Sequence, residues 1–392
     1  MKTTFKFRLY PNREQKQKLL STLDKCRFTY NQLLDFLNKS KKIDKNKTQH
    51  HILKLKKENE DLNDVYSKVL QYENYRLFSN LKGLSKLKKN GRKVGRLRFK
   101  GKGWFKTFSY NQSGFSISDE GKRFTILRLS KIGDIRMRIG RKQNRPKSEI
   151  KQVTIKKTNI NKWFSMIISE EEKEKVKKTH KKVGIDMGLE NYVYDSDGNH
   201  FDSPKYLRES EDRLKWYHKL LSRTKKSSKN REKAKLRLSK LYEHIENQRI
   251  DFCHKLSHYY IKNYDFIAVE DLSIPNMVKN HHLSKSILDA SWSCFTQFLS
   301  YKVERTDKEL VWVNPNGTTQ ICSNCGRTVK KTLATRTHKC GCGLKIHRDY
   351  NSAINILNIG IGKEFPEYTP VEIRPLLFRE QVMVGETGSH LR

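Results

Sequence analysis

Four cysteines stand close together near the end of the chain. They form a Cys-x-x-Cys pair and a Cys-x-Cys pair with 14 residues between them: Cys322, Cys325, Cys340 and Cys342. Four thiolates at this spacing can bind one Zn²⁺ tetrahedrally, as in a structural zinc knuckle. Because the second pair is shorter than the usual Cys-x-x-Cys, His338 or His347 could replace one thiolate. The alternative is a set of reduced cysteines that bind no metal and pack in the interior.

Three carboxylates come from distant segments, and each stands beside an apolar run. Asp186 ends one predicted strand, Glu270 ends another, and Asp349 precedes the apolar positions of a helix. The three could therefore meet at one edge of a sheet and bind hard divalent cations such as Mg²⁺ or Mn²⁺. In two-metal phosphodiester cleavage, carboxylates hold a pair of ions that activate water and stabilise the leaving oxygen. Asp271 does not join this set, because strand alternation points it away from Glu270.

Each of these motifs, taken alone, is typical of other proteins as well. Gly-Ile-Asp-x-Gly at 184–188 also fits actin-like phosphotransferases, and Val-Glu-Asp at 269–271 could be a capped strand end. His-Arg-Asp at 347–349 resembles a kinase catalytic loop. A kinase is excluded, because no Gly-rich phosphate loop precedes this motif and no Asp-Phe-Gly follows it.

The hydrophobic pattern predicts the elements of the first half. Residues 2–10 alternate as one strand, and a helix runs from Arg13 to about Leu37. Residues 50–90 predict further amphipathic helix, and 91–106 form a basic, Gly-rich connector. Six alternating segments separated by turn residues then predict a small antiparallel barrel or sheet. These segments are Thr107–Tyr110, Phe115–Ser118, Arg123–Leu129, Ile135–Ile139, Lys151–Lys156 and Trp163–Ser169.

The pattern changes after a charged hinge over residues 170–182. A strand leads to Asp186, a hairpin follows over 191–201, and residues 205–263 predict a long, interrupted helix. The remaining elements are a strand at Phe266–Glu270, a helix at 291–305, a strand at Leu310–Val313 and a final helix from His347. Strands and helices in this order predict a mixed α/β unit, with the cysteines between the last strand and the last helix.

The charge of the chain points to a polyanionic partner. The 392 residues carry 82 Lys and Arg against 42 Asp and Glu, a formal charge of +40. Residues 1–180 hold 47 basic and 17 acidic residues, whereas residues 181–392 hold 35 and 25. A compact protein this basic repels itself unless a polyanion offsets the charge, which favours nucleic acid.

Length and hydropathy exclude other classes of protein. A chain of 392 residues predicts two to four domains, which excludes one small binding module. No run of 18 apolar residues exists, and the start Met1-Lys-Thr-Thr-Phe-Lys6 lacks the apolar stretch of a signal peptide. We therefore expect a soluble, intracellular protein with no membrane partner.

Five runs in a fixed order resemble the transposon-encoded TnpB nucleases, which are compact relatives of the type V CRISPR effectors. The runs are Val183–Gly188, Asn247–Leu256, Ile267–Leu272, Thr319–Gly326 and His347–Ile356. Four further segments are also similar to the family: Lys6–Pro11, Arg98–Lys100, Thr369–Glu372 and Gly388–His390. The resemblance therefore covers nearly the whole chain.

The resemblance implies a multidomain α+β fold. An RNase H-like (RuvC) α/β nuclease domain would use Asp186, Glu270 and Asp349 as its metal-binding triad, with the zinc knuckle as an insert. An N-terminal wedge-like β-barrel would carry an inserted helical recognition lobe. The implied boundaries are 1–10 and 107–175 for the barrel, 11–106 for the lobe, 180–313 and 347–360 for the nuclease, 314–346 for the knuckle, and 361–392 for an extended or disordered tail.

By the same resemblance, the protein would bind a guide RNA transcribed from the transposon end. The guide would pair with double-stranded target DNA beside a short motif that the protein reads. The candidate nucleic-acid contacts are Gln71, Asn74, Tyr75, Arg76, Arg98, Lys100, Lys102 and Trp104. The first four could pair with adenine edges, and the others could stack on nucleotides or bind phosphates. The alternative is a polar helix surface and a solvated basic loop, with Trp104 in the barrel core.

Arg336 falls where the family places a basic residue near the scissile phosphate. It would stabilise the charge of the transition state there, and the alternative is a simple phosphate contact or a surface charge.

The implied activity is RNA-guided cleavage of both DNA strands at one RuvC-like site. It would use two Mg²⁺ or Mn²⁺ ions and one structural Zn²⁺. Two other functions stay open: a catalytically inactive RNA-guided DNA-binding repressor, and a transposase that joins DNA ends itself. The family implies a cytoplasmic, prokaryotic protein that associates with the nucleoid through DNA.

Overall fold

A computed structural model describes residues 1–40, 42–118, 124–139, 146–332 and 335–362. The chain divides into two compact units, Met1–Glu172 and Lys173–Arg392, so the division falls within the predicted hinge. The predicted tail lies outside the described residues from position 363 onward, and so do Thr369–Glu372 and Gly388–His390. Within the described ranges, no helix is both long enough and apolar enough to cross a bilayer.

The first unit begins with a strand and three α-helices. These are β1 (Lys2–Tyr10), α1 (Arg13–Lys39), α2 (Lys45–Glu58) and α3 (Ser67–Lys89), with a short 3-10 helix at Glu60–Asp64. α1 begins where the sequence predicts, because Asn12 and Gln15 cap it reciprocally. The backbone N–H of Gln15 donates to Asn12 Oδ1 at 2.8 Å, and the backbone N–H of Asn12 donates to Gln15 Oε1 at 2.9 Å.

Seven strands form one antiparallel sheet in the first unit. After β1 they are β2 (Thr107–Asn111), β3 (Phe115–Ser118), β4 (Phe124–Leu129), β5 (Gly133–Arg138), β6 (Ile150–Lys157) and β7 (Trp163–Glu170). Their order is β2-β6-β7-β1-β5-β4-β3. The two edge strands, β2 and β3, are therefore consecutive in the chain, and only three residues join them. A flat sheet would separate these edges by about 29 Å, but this connection spans at most about 14 Å. The sheet therefore curls like a barrel, which confirms the predicted antiparallel barrel or sheet.

A five-stranded mixed sheet forms the centre of the second unit. Its strands are β8 (Lys182–Asp186), β9 (Asn191–Asp195), β10 (His200–Asp202), β11 (Phe266–Glu270) and β12 (Glu309–Val313), in the order β10-β9-β8-β11-β12. β8, β11 and β12 are parallel, whereas β9 and β10 are antiparallel to their neighbours. Asp186 and Glu270 are consequently the last residues of two adjacent strands that end at the same edge.

The helices of the second unit cover this sheet and extend from it. They are α4 (Tyr206–Glu209), α5 (Glu211–Arg223), α6 (Lys229–Asn263), α7 (Ile274–Met277), α8 (Ser284–Ala290), α9 (Trp292–Arg305) and α10 (Arg348–Gly360), and the hairpin of β13 (Thr337–Lys339) and β14 (Lys345–His347) precedes α10. The predicted long, interrupted helix is three helices, because the chain breaks at Ser210 and again over 224–228, where the Ser228 hydroxyl caps α6. Tyr192, Tyr260 and Phe295 fill the core between the sheet, α6 and α9.

Two glycines allow α10 to lie directly against the sheet. A Cβ at Gly184 in β8 would lie 2.2 Å from the carbonyl oxygen of Ala353 in α10. A Cβ at Gly360 would lie 2.7 Å from the Cβ of Ala268 in β11. The backbone of α10 therefore approaches β8 with no side chain between them, and its first turn carries Asp349 toward the edge where β8 ends.

We expect Gly184→Ala to lower the midpoint of thermal unfolding. The added methyl group has no room, and such overpacking costs about 1–3 kcal/mol or more. Gly83→Ala is the matched control, because a Cβ there meets nothing within 4 Å. In α3 this control should be neutral or stabilising, since alanine favours a helix over glycine by about 1 kcal/mol. Circular dichroism measures both midpoints, and equal midpoints for Gly184→Ala and the wild type would contradict the close packing.

Candidate active site and metal centre

The three predicted carboxylates lie at one edge of the five-stranded sheet. Asp186 ends β8, Glu270 ends β11, and Asp349 lies in the first turn of α10. The side chains are buried, with relative exposures of 7%, 5% and 5% in that order. The structure therefore gathers three acidic groups from segments that are distant along the chain into one small region of the second unit.

Burial and repulsion between carboxylates raise the pKa values of Asp186 and Glu270. Burial raises the pKa of Asp186 well above its ordinary value, and the charges of Glu270 and Asp349 raise it further. Burial also raises the pKa of Glu270 to about 7, although the Thr318 hydroxyl donates to Glu270 Oε1 at 2.6 Å and opposes the rise. The three carboxylates do not bring one oxygen each to within 4.8 Å of one another in this structure, and a divalent cation between them would offset the repulsion.

We expect the metal-free protein to lose folding stability as the pH rises from about 4.5 to about 7, the interval between the ordinary and the folded pKa of Glu270. As the pH rises, the folded protein keeps the Glu270 proton to a higher pH than the unfolded chain does. This preference for the protonated form contributes fully to folding stability below about pH 4.5, and the contribution is lost as the pH rises to about 7. Urea unfolding in EDTA at both ends of this interval measures the loss. Glu270→Gln should show a smaller loss than the wild type, and an equal loss would contradict the assignment.

Arg348 and Tyr194 complete the site, and neither was predicted. Arg348 Nε donates to Asp349 Oδ1 at 2.9 Å, so a cation is fixed beside the triad. Tyr194 is paired directly with Asp186 across β8 and β9, which puts both side chains on one face of the sheet. The Tyr194 ring stacks with His347 at a centroid distance of 5.2 Å and with His200 at 5.4 Å. Arg348 could have been suspected from its place in His-Arg-Asp, whereas Tyr194 carries no signal of its own.

The four cysteines form one compact cluster. Their Sγ atoms all lie within 4.8 Å of one another, and among the described residues this is the only group of three or more Cys, His, Asp or Glu that is so close. Cys322 Sγ lies 3.7 Å from Cys342 Sγ, and Cys325 Sγ lies 3.5 Å from Cys340 Sγ. Tetrahedral Zn²⁺ with Zn–S bonds of about 2.3 Å requires sulfur–sulfur distances of about 3.8 Å. The donor set therefore fits zinc.

Local contacts further support thiolate ligands in this cluster. The backbone N–H of Leu344 and the Asn324 side chain lower the pKa of the Cys342 thiol to about 6. Gly326 and Gly343 adopt φ values of +75° and +91° in the turns beside the cysteines, a backbone conformation that favours glycine.

Neither histidine considered as a replacement ligand belongs to the cluster. His338 is buried in β13 and its Nδ1 contacts Lys331 Nζ. His347 caps α10, because the backbone N–H of Asp349 donates to its Nδ1 at 3.3 Å. The geometry thus favours four cysteine ligands over three cysteines and a histidine.

Two asparagines connect the cysteine cluster to α10, the helix that carries Asp349. Asn351 of α10 accepts a hydrogen bond from the backbone N–H of Ser323 at 3.0 Å and donates one to the carbonyl of Ile321 at 2.7 Å. Asn355 donates to the carbonyls of Thr318 and Ile321 at 2.8 and 2.7 Å. Since Thr318 also bonds Glu270, the segment that leads into the first cysteine pair is held by the triad's own elements.

Arg336 lies in the loop before β13 and is paired with an acidic side chain. Its Nε atom is 2.9 Å from Glu190 Oε2, and about half of its side chain is exposed (47%). Its carbonyl also accepts the backbone N–H of Arg348 at 2.7 Å. The side chain is therefore accessible close to the start of α10, and its role stays a prediction.

The residues predicted to read the adjacent motif differ in accessibility. Tyr75 is 50% exposed, with Lys45 Nζ 4.0 Å from its ring centre, and Gln71 is half-buried. Asn74 is fully buried, and its amide bonds Thr48, Gln49 and the carbonyl of Lys45. Arg76 is half-buried and bonds Thr107. Asn74 thus offers no free edge to a base, because its polar groups hold α2 against α3.

The basic connector presents its candidates at the surface. Arg98, Lys102 and Trp104 are exposed, with Trp104 at 58%, so the alternative of a Trp104 buried in the barrel core is wrong. Lys100 is half-buried, and Asn31 fixes the backbone of Lys100 with bonds of 2.8 and 3.0 Å to its N–H and its carbonyl. The connector is therefore anchored on α1 while its aromatic and basic side chains remain accessible.

Three segments of the chain match known families. Residues 165–281 match the family described as "Probable transposase", residues 292–356 match the "Cas12f1-like, TNB domain", and residues 1–42 match a "Helix-turn-helix domain". The second match contains all four clustered cysteines and Asp349.

Curated relatives match either most of the chain or about a third of it. The "Putative RNA-guided DNA endonuclease InsQ" of Escherichia coli (strain K12) is 30% identical over 384 residues, which cover 91% of this chain and 92% of the relative. The "Putative RNA-guided DNA endonuclease" of Streptomyces pristinaespiralis is 29% identical over 378 residues, or 92% and 90% of the two chains. The "TnpB-like protein L79" of Acanthamoeba polyphaga mimivirus is 32% identical over 142 residues, or 34% and 27%.

Solved structures share the fold at much lower identity. The protein in the "Cryo-EM structure of the Cas12f1-sgRNA-target DNA complex" matches with a TM-score of 0.60 at 14% identity, over 88% of this chain and 83% of that chain. The "mini-RNA-guided endonuclease CRISPR-Cas_phi3" matches with a TM-score of 0.51 at 9% identity, over 93% of both chains. The near full-length match to the E. coli relative, together with the matching family models, shows that the chain belongs to the TnpB family.

Proposed function

We propose that this protein is a metal-dependent, RNA-guided DNA endonuclease with one active site at Asp186, Glu270 and Asp349. The observation that carries the proposal is the meeting of these three buried carboxylates at one edge of the mixed sheet. The near full-length relatives named as RNA-guided DNA endonucleases support the same activity.

The topology of the second unit supports an RNase H-like (RuvC) domain. Its sheet has an antiparallel three-stranded part followed by two further parallel strands, and α10 packs on the central strand β8. In this arrangement a triad from β8, β11 and α10 lies at the carboxyl ends of two parallel strands, where ligands bind in open α/β sheets. The cysteine segment between β12 and α10 would be the zinc-knuckle insert.

The triad would hold two Mg²⁺ or Mn²⁺ ions, and the four cysteines would hold one Zn²⁺. When bound, the divalent ions supply activated water and charge stabilisation for phosphodiester cleavage. Arg348 orients Asp349, and Thr318 orients Glu270 by donating to one of its oxygens. Arg336, exposed beside α10, is proposed to stabilise the charge that develops on the scissile phosphate.

The basic first unit is proposed to hold a guide RNA from the transposon end and its hybrid with target DNA. Exposed Arg98, Lys102 and Trp104 on the anchored connector support this role, because they offer phosphate contacts and a stacking surface. Of the four candidates for reading the adjacent motif, Tyr75 and Gln71 remain, since Asn74 and Arg76 are engaged within the protein.

We expect Trp104→Ala to weaken RNA binding without destabilising the fold. Loss of one stacked base costs about 1–3 kcal/mol, whereas an exposed indole contributes little to the core. Filter binding and thermal unfolding measure the two effects. Trp163, which is 3% exposed in β7, is the contrasting position, since Trp163→Ala should destabilise the sheet. Unchanged RNA affinity for Trp104→Ala would remove Trp104 from the RNA-binding surface.

Programmed cleavage tests the proposed function. The chain is expressed with its flanking locus, the RNA that co-purifies is sequenced, and target plasmids matching the guide segment are supplied with Mg²⁺. The expected result is one specific RNA and a double-strand break that moves when the guide is changed. Specific binding without a break would instead indicate a repressor, and end-joined product would indicate a transposase. Recovery of random cellular RNA alone would refute guided action.

A further inference from the structure

Two cysteines outside the cysteine cluster meet between α6 and α9. Cys253 lies on α6 and is buried, at 1% exposure, whereas Cys294 lies near the start of α9 and is half-buried. Both belong to the core that packs against the five-stranded sheet. They are 41 positions apart in the chain, so only the packing of the two helices brings them together.

The contacts beside these cysteines hold α6 against α9. The ring of His254 stacks on Phe298 at a centroid distance of 4.0 Å, and Lys302 Nζ donates to the carbonyl of His254 at 2.9 Å. Phe298 lies about one helical turn after Cys294, and His254 directly follows Cys253. The turn of α9 that carries Cys294 therefore lies beside the turn of α6 that carries Cys253.

The two thiols are in contact with each other and with a tyrosine. The Cys294 thiol hydrogen-bonds to Cys253. Tyr192 of β9 is fully buried, and its hydroxyl oxygen lies 3.6 Å from Cys253 Sγ. Its ring packs edge-on against Phe295, the residue after Cys294, at a centroid distance of 5.8 Å. Thiols in such contact need only a small movement to form an S–S bond of about 2.05 Å.

The same contacts favour a thiolate within the pair. The hydrogen bond from Cys294 lowers the pKa of the Cys253 thiol, although burial opposes it. The Tyr192 hydroxyl and the charge of Lys302 lower this pKa further, and the shared hydrogen bond raises the pKa of Cys294. A thiolate is the form of cysteine that reacts with oxidants and disulfides. Two cysteines that only packed in a core would have no such thiolate.

We propose that Cys253 and Cys294 form a reversible disulfide when the protein meets a peroxide. A thiolate of the pair attacks one peroxide oxygen, the O–O bond breaks, and a sulfenic acid forms while the other oxygen leaves as water. The second thiol attacks the sulfenic sulfur, the S–S bond forms, and a second water leaves. Two thiols and one hydrogen peroxide thus give one disulfide and two waters. Sulfur is oxidised, the peroxide is reduced, and an added dithiol reverses the change.

The disulfide would join the two helices that precede adjacent strands of the sheet. α6 leads into β11, which ends at Glu270, and α9 leads into β12. A cross-link over a loop of this length stabilises a protein mainly by restricting the unfolded chain. Oxidation should therefore raise the midpoint of thermal unfolding by about 5–10 °C. Neither the bond nor this shift requires nucleic acid, so the proposal does not rest on the proposed function.

Peptide mass spectrometry of the full chain tests the proposal. The purified protein is treated with hydrogen peroxide, the remaining thiols are alkylated, and the protein is digested. The expected product is a cross-linked peptide pair that contains Cys253 and Cys294 and disappears after treatment with dithiothreitol. Cys294→Ser and Cys253→Ala should form no such pair and should show no rise in midpoint. Cys294 is half-buried, so its variant keeps the test available if Cys253→Ala does not fold.

Cys26→Ala is the matched control. Cys26 is fully buried in α1, and burial raises the pKa of its thiol, so the variant should form the same cross-link as the wild type. The midpoints are compared at peroxide concentrations that leave the zinc content unchanged, which separates this pair from the four clustered cysteines. Full alkylation of Cys253 and Cys294 after peroxide treatment would overturn the proposal. An equal rise in midpoint for Cys294→Ser and the wild type would overturn it as well.

Discussion

We expect Asp186→Asn to abolish DNA cleavage and to preserve binding of guide RNA and target DNA. Asparagine keeps the size of the side chain but removes the charge that holds a divalent ion. The ions contribute several kcal/mol to stabilisation of the transition state. Since 1.36 kcal/mol corresponds to a factor of ten in rate, cleavage should fall at least about a thousandfold.

The same substitution should leave the metal-free protein as stable as the wild type or more stable. The wild-type carboxyl is buried beside Glu270 and Asp349, whose charges disfavour its ionised form. Removal of one partner from this cluster relieves that repulsion. Single-turnover cleavage, electrophoretic mobility shifts and urea unfolding in EDTA measure the three properties.

Asp271→Asn is the matched control, because Asp271 follows Glu270 in the chain and is exposed. We expect it to cut at close to the wild-type rate. If Asp186→Asn cleaved DNA at the wild-type rate, the assignment of Asp186 to the triad would be wrong. If that variant lost nucleic-acid binding, its effect would extend beyond the cleavage step.

Removal of zinc should unfold the cysteine segment and disable the active site with it. Cys322→Ser deletes the buried ligand of the cluster. Structural zinc sites contribute directly to folding free energy, so the turns around the cysteines should lose their order. Asn351 and Asn355 would then lose the carbonyl of Ile321 as a partner, and Glu270 would lose the fixed hydroxyl of Thr318.

Metal content and hydrogen exchange measure this effect together. The wild type should contain one zinc per chain, and Cys322→Ser should contain less and show faster exchange over 314–346 and the first turns of α10. Cys294→Ser is the control, because Cys294 is a half-buried cysteine of α9 outside the cluster. A zinc content of zero in active wild-type protein would contradict the assignment, as would full cleavage by Cys322→Ser.

Local sequence pattern predicted most of the elements and placed the three acidic residues beside apolar runs, whereas their assignment as a triad came from the resemblance to a family. The predicted strands match β2 to β7 within two residues at each end, and α1 starts at the predicted Arg13. Such elements follow from periodicity and from caps such as Asn12, which depend on neighbours in the chain. Asp186 and Glu270 were predictable because each ends an apolar strand. The four cysteines were predictable from spacing alone.

The tertiary structure determined the surroundings of several side chains that the sequence pattern left open or placed wrongly. Asn74 and Arg76 looked like surface groups of one helix, yet packing of α2 and β2 against α3 engages both. Trp104 had two candidate environments, and the structure exposes it. The sequence leaves His338 and His347 as candidate zinc ligands, whereas the fold gives each another contact.

By itself, the sequence determined the order of elements, the acidic and cysteine residues that could bind metals, and a charge that demands a polyanion. Only the tertiary structure decided that the side chain of Tyr194 lies on the same face of the sheet as Asp186, and that α10 packs directly on β8 at Gly184. The physical reason is that caps, periodicity and ligand spacing act within a few residues. Burial, pKa shifts and pairing instead depend on groups that meet only when distant segments pack together.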